Sequence, residues 1–138
     1  MTPLQNFLSL TNENLANSGV DRIDEELDSR RSAEPWGVME WLSSAEIGNS
    51  RDVTLGKMSI EPGGVNDSHS HSNCEEVQYL LTGLLEQRVG DRVYLQKAGD
   101  VIVVPPNTVH QTKNVGPDRA ELLIVFSAGR RNFALHKS

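Results

Sequence analysis

The chain has 138 residues with 13 basic and 19 acidic side chains, a net charge of −6. That length fits one compact domain with a real core, and the charge leaves no basic face for a phosphate backbone, so nucleic acid is not an expected partner. Hydrophobic residues make up 37% and charged residues 23%, which excludes a wholly disordered chain, and the single cysteine, Cys74, excludes both an intramolecular disulfide and a multi-cysteine zinc site.

Met1 to Asn6 carries no positive charge ahead of an apolar block, so it does not read as a secretory signal, and a cytoplasmic location is expected. The segment 1–35 is polar and charged and is read as an N-terminal arm, partly helical or dimer-forming. Thr11 is placed to cap a short helix ending before Gly19, and Asp21 to Arg31 is charged enough for an exposed helix. From residue 36 to 138 the composition changes to short apolar runs separated by Gly, Pro, Asn and Asp.

Those runs predict strands over Trp36–Leu42, Val53–Ile60, Val77–Leu81, Leu84–Val89, Arg92–Leu95, Val101–Val104 and Leu122–Phe126. Gly90-Asp91 is a hairpin signal, and Glu61-Pro62-Gly63-Gly64 closes the strand before it. Strands this short and numerous, with no helix of crossover length between them, predict an all-β antiparallel sandwich or barrel and exclude a parallel α/β sheet. The longest apolar stretches fall far short of a membrane span, so no membrane partner is expected.

The chemistry concentrates in two segments. His69 and His71 are two residues apart, so on an extended strand both imidazoles project from one face in a chelating arrangement. Glu76 follows His71 by five positions, an odd separation, but the turn-prone Ser72-Asn73-Cys74 can reset the register and bring it to the same side. The second segment runs from Gly99-Asp100 through Val101–Val104, turns at Pro105-Pro106-Asn107 and delivers His110 on the next strand. Three imidazoles and a carboxylate suit one divalent transition-metal ion among Fe, Mn, Co, Ni, Cu and Zn, and six-coordinate geometry leaves two positions open.

The two segments resemble the two conserved motifs of the cupin family. In the first, Gly63 is followed by His69, His71, Glu76 and Gly83 at the familiar spacing; in the second, Gly99 is followed by Pro105, Asn107, His110 and Asn114. Asn107 stands where the family usually has glycine, and asparagine is the next best residue for a left-handed turn position. The resemblance spans residues 56 to 126. It implies a single-domain jelly-roll β-barrel, the double-stranded β-helix, often paired as a homodimer, and metal ligands at His69, His71, Glu76 and His110. The interval to Gly83 selects Glu76 over its neighbour Glu75.

The family includes dioxygenases, decarboxylases, isomerases, lyases, storage proteins and sensing domains, so membership does not define a reaction. The expected function is a metal-dependent enzyme acting on a small polar metabolite, with a non-catalytic ligand-binding or sensing protein as the alternative. Gln78, Thr112 and Met58 are the candidate substrate contacts, the first two by alternation with Glu76 and His110. Glu76 is also a candidate proton acceptor. Cys74 reads as a small buried filler, Trp36 and Trp41 as dimer contacts, and Arg130, Arg131 and His136 as a solvated tail. The aromatic share of 5% argues against a large aromatic cage around the substrate.

Overall fold

A computed structural model describes residues 30–137. The helix expected from Thr11, and all but the last residues of the one expected over Asp21 to Arg31, lie outside the described residues; Arg31 itself opens the first strand. The described residues form β1 (Arg31–Glu34), β2 (Gly37–Ser43), β3 (Thr54–Ile60), β4 (His69–Ser70), β5 (Glu76–Thr82), β6 (Leu84–Val89), β7 (Arg92–Lys97), β8 (Val101–Val104), β9 (His110–Asn114), β10 (Ala120–Phe126) and β11 (Ala134–Leu135). Each of the seven apolar runs is a strand, with ends shifted by at most two residues. The short strands β1, β4 and β11 carry no alternation of their own and exist by pairing with a neighbour. Among the described residues no helix is long and apolar enough to cross a membrane.

Two antiparallel sheets face each other, one ordered β1-β2-β3-β10-β5-β8 and the other β11-β4-β9-β6-β7. Residue 35 falls within the β1–β2 hairpin: Arg31 to Glu34 pair with Glu40 to Gly37, so the first sheet starts on the arm side of the composition change. Gly90-Asp91 joins β6 to β7 as a two-residue loop between the paired Val89 and Arg92, and Gly90 supplies the positive φ of 61° that the first central position of such a turn needs.

Period-two alternation gives the interior a layered chemistry along the strands. Leu80, Leu85 and Leu122 are fully buried at one level. One alternation further along, β5 presents Gln78 and β6 presents Gln87 opposite Thr112 of β9. One more brings Glu76 of β5 and His110 of β9, which are buried as well. The sandwich thus grades from hydrocarbon through a polar layer to ionisable groups, because successive inward positions of the same strands change character.

Asn107 has φ of 60°, the left-handed conformation expected of it, and its backbone N–H donates to the His71 carbonyl at 2.8 Å. The turn of the second motif is therefore tied to the ligand segment of the first. Replacing Asn107 with a β-branched residue is strained there: Asn107→Val is expected to cost about 1–2 kcal/mol, whereas Asn107→Gly changes stability by less than about 1 kcal/mol. Urea unfolding of both variants checks this, and an equal loss in the two would rule out backbone conformation as the cause.

Candidate metal centre

The four expected ligands come from both sheets. His69 opens β4 and lies directly across from His110 of β9; His71 follows β4, and Glu76 opens β5 in the opposite sheet. The turn at Ser72-Asn73-Cys74 does reset the register, leaving Glu75 exposed and Glu76 buried. His71, Glu76 and His110 are each at most 4% exposed and His69 is 9% exposed. One ligand atom from each of the four lies within 4.8 Å of every other.

Backbone carbonyls set the protonation of the rings. His69 Nδ1 lies 2.7 Å from the Asp67 carbonyl, His71 Nδ1 2.7 Å from that of Asn132 and His110 Nδ1 2.9 Å from that of Thr108. A carbonyl accepts and never donates, so each Nδ1 carries the hydrogen and each Nε2 is left to bind an ion or a proton. Glu76 Oε1 lies 3.2 Å from Nε2 of both His71 and His110. His71 Nε2 is nevertheless buried without a hydrogen bond of proper geometry. A buried imidazole nitrogen with no donor of its own, aimed at a carboxylate, fits a shared cation. The N₃O donor set therefore suits a divalent transition-metal ion, which His69, His71, Glu76 and His110 would hold.

Electrostatics separate the rings. Burial, with help from His110, pushes His69 down from 6.5 to about 4. Burial also works against a charge on His110, but the hydrogen bond and charge of Glu76 outweigh it and raise that ring above its ordinary value. Glu76 is opposed by burial as well, yet the hydrogen bond from His110 and the neighbouring His71 ring hold its carboxyl well below the usual range.

Beneath the ligands runs a ladder of buried amides. Gln78 Nε2 donates to Glu76 Oε2, Gln87 Nε2 donates to Gln78 Oε1 at 2.7 Å and to Gln96 Oε1 at 2.9 Å, and Gln96 Nε2 donates to the Asp100 carbonyl at 3.0 Å. The Thr112 hydroxyl donates to Gln87 Oε1 at 2.7 Å. Thr112 faces inward as expected, but it joins this ladder and is not on the wall of the cavity beside the ligands. Gln78 and Met58 are on that wall. Gln87 and Gln96 escaped sequence reasoning; the one signal available was a glutamine at an inward position of a strand.

That cavity, of about 250 Å³, is lined by His69, His71, Glu76 and Gln78 on one side and by Trp36, Trp41, Phe126 and Phe133 on another. Trp36 and Trp41 pack in part against the core and the cavity. One expectation is corrected here: four of the chain's seven aromatic residues meet at one place although the overall share is low. Composition averages over the chain, whereas the fold concentrates.

The residues after β10 are not a solvated tail. The Thr54 hydroxyl donates to the Ala128 carbonyl at 2.7 Å, Asn73 of the ligand turn donates to the Arg130 carbonyl and accepts from the Asn132 N–H, and β11 pairs with β4. His136 Nε2 lies 2.7 Å from Ser70 Oγ. Phe133 stacks on His69 with ring centroids 5.0 Å apart, and Arg131 lies over Trp41 at 4.4 Å. Arg130, by contrast, is exposed, as expected. Cys74 is a free thiol, buried in the core cluster, which suits packing.

In the chelator-treated protein His110 is expected to hold a second proton at about pH 6, while His69 stays neutral until about pH 4. The sign for metal follows: protonation of His110 competes with an ion, so affinity falls as pH drops through the raised value of that ring. Apo stability contains two opposed contributions. His69 destabilises on acidification from 6.5 towards about 4, because the unfolded chain takes up a proton that the folded ring refuses, while His110 contributes stability that is lost as pH rises. Imidazole ¹⁵N spectra across this range report each ring directly, and a His69 ring that charges before His110 contradicts the assignment.

The profile of the Cupin domain family matches residues 56–126, about half of the chain. Among curated proteins, the chain is similar to Germin-like protein subfamily 2 member 2 of Arabidopsis thaliana, 34% identical over 85 residues, covering 58% of this chain and 39% of that protein. It is also similar to Oxalate oxidase 1 of Hordeum vulgare, 26% identical over 99 residues, 66% of this chain and 47% of that one. The chain spans less than half the length of these relatives. Solved structures of like fold include oxalate decarboxylase of Lactobacillus farciminis in its formate complex, with TM-score 0.72, 23% identity and coverage of 80% of this chain and 33% of that one. An uncharacterised conserved protein with a double-stranded β-helix domain from Klebsiella pneumoniae has TM-score 0.69 and 23% identity, with coverage of 83% and 97%. The fold is that double-stranded β-helix, its matched region contains all four ligand residues, and the chain belongs to the cupin family.

Proposed function

We propose that this protein is a metal-dependent enzyme acting on a small polar metabolite, with His69, His71, Glu76 and His110 as the ligands of one divalent ion. The observation that carries this reading is the convergence of three Nδ1-protonated imidazoles and one buried carboxylate, their ligand atoms within 4.8 Å of one another, at the wall of a cavity sized for a small molecule. Relatives named for oxidation of oxalate and a structural neighbour named for its decarboxylation support an enzyme working on a small molecule. A bound ion of this class supplies a Lewis-acidic centre, and with a redox-active metal a site for electron transfer.

The chain's own residues have separable tasks. Gln78 occupies the second oxygen of Glu76, so that a single oxygen faces the imidazoles. The His110 hydrogen bond and the His71 ring that keep the Glu76 carboxyl low suit a ligand and disfavour the proton-accepting role. Trp36, Trp41 and Phe133 wall the cavity and exclude water from one side of it.

Metal content per chain, measured in protein purified without chelators, is expected to be near stoichiometric in the wild type and to fall to background in His71→Ala. Turnover and oxygen uptake over a panel of small acids and sugars then follow on the loaded protein. A wild type that takes up no first-row divalent ion after reconstitution overturns the proposal; stoichiometric metal and ligand binding without turnover replaces the enzyme with a binding protein.

A further inference from the structure

The cavity contains a cation that the metal site does not use. Arg131 follows β10, and its guanidinium lies 4.4 Å from the Trp41 ring centroid, 5.3 Å from that of Phe126 and 5.6 Å from that of Phe133. The backbone on either side is pinned: Asn73 Nδ2 donates to the Arg130 carbonyl at 2.8 Å, and the Asn132 N–H donates to Asn73 Oδ1 at 2.8 Å. Among the described residues the Arg131 side chain makes no ion pair and no hydrogen bond, although it is half-buried on the same cavity wall as His69, His71 and Glu76. A guanidinium offers five donors in a planar fork. Here the aromatic faces hold that fork in place and leave its donors unused.

The rest of the wall narrows what would use it. Glu34 and Asp67 are on the cavity wall too, so a second anionic group on a ligand meets like charge. Trp36, Met39, Met58 and Ile124 are apolar wall, which a wholly polar ligand would leave wetted. A sugar has no charge for Arg131. We propose that this cavity binds a small monocarboxylate with an apolar or aromatic body, its carboxylate taken by Arg131 beside the metal ligands and its body laid against Trp36, Met39 and Met58. This deepens the proposed function by narrowing its small polar metabolites to acids whose one polar group is a carboxylate, and it rests on that reading solely for the metal contact; the arginine contact stands without an ion. Burial lowers the affinity of Arg131 for its proton, against the pull of Glu76 and Glu46, and a carboxylate on the fork offsets that cost of desolvation.

Calorimetric titration of benzoate, its neutral isostere benzamide, and oxalate tests this in both zinc-loaded and metal-stripped protein. In the metal-stripped wild type, benzoate is expected to bind at least about tenfold more tightly than benzamide and more tightly than oxalate. Arg131→Gln should weaken benzoate by about tenfold or more while moving benzamide by less than about twofold, and Arg131→Lys should recover part of the loss. Equal affinity of wild type and Arg131→Gln for benzoate overturns the proposal, as does a preference for oxalate in the metal-stripped protein. Should Arg131→Gln fail to fold, which thermal unfolding reveals, the benzoate-to-benzamide ratio of the wild type decides: a ratio near one overturns the assignment. Failure to take up zinc in the same titrations sinks the metal-dependent reading and leaves the arginine result standing.

Discussion

Three imidazole nitrogens and a carboxylate oxygen converge in a space almost closed to water, and that convergence is unfavourable unless a positive charge lies among them. Glu76 Oε1 is 3.2 Å from Nε2 of both His71 and His110, and all three side chains are buried. Carbonyls of Asp67, Asn132 and Thr108 have already taken the other ring hydrogens, so the free lone pairs all face one point. A proton on His110 supplies part of the missing charge in the absence of an ion, which is why Glu76 raises that ring while burial depresses His69. Much of the rest of the structure can be understood as what is needed to hold those four atoms together.

One requirement is a transition from charged groups to hydrocarbon within a few ångströms. The amide ladder from Gln78 through Gln87 to Gln96 makes it. Each carbonyl and each amide nitrogen used in the ladder has a partner, down to the backbone of Asp100 and the hydroxyl of Thr112. An amide left without its partner in such a layer costs about 1–3 kcal/mol, so the ladder is held as a unit and orients the second oxygen of Glu76. Immediately below it Leu80, Leu85 and Leu122 are fully buried, and the hydrophobic core begins.

The other requirement is a wall on the open side. Residues 128–136 provide it by crossing back over the ligand turn, tied at Thr54, Asn73, Ser70 and the main chain of Ser68. In doing so the segment orients His71 through the Asn132 carbonyl, stacks Phe133 on His69 and brings Arg131 to the cavity wall. Ligand orientation and cavity chemistry therefore depend on the same short stretch of chain.

Much of this was legible in the residues themselves. Spacing alone placed His69 and His71 on one face, the turn at Ser72 to Cys74 explained how Glu76 joins them, and the strand after Asn107 carried His110 to the same point. These are local relations: backbone geometry over a few residues, repeated with period two, determines which side chains share a face. The seven strands with apolar alternation were legible for the same reason, and so was the left-handed Asn107. What tertiary structure decided is everything that joins positions far apart in the chain. The short strands β1, β4 and β11 have no signal without their partners. Nothing near Asn132 in the sequence shows that its carbonyl lies under His71, 61 positions away, or that Arg131 will meet Trp41. Gln87 and Gln96 look like ordinary strand residues until the sheets close around them. Such contacts follow from how the two sheets close on each other, and a linear pattern carries no distance between their edges.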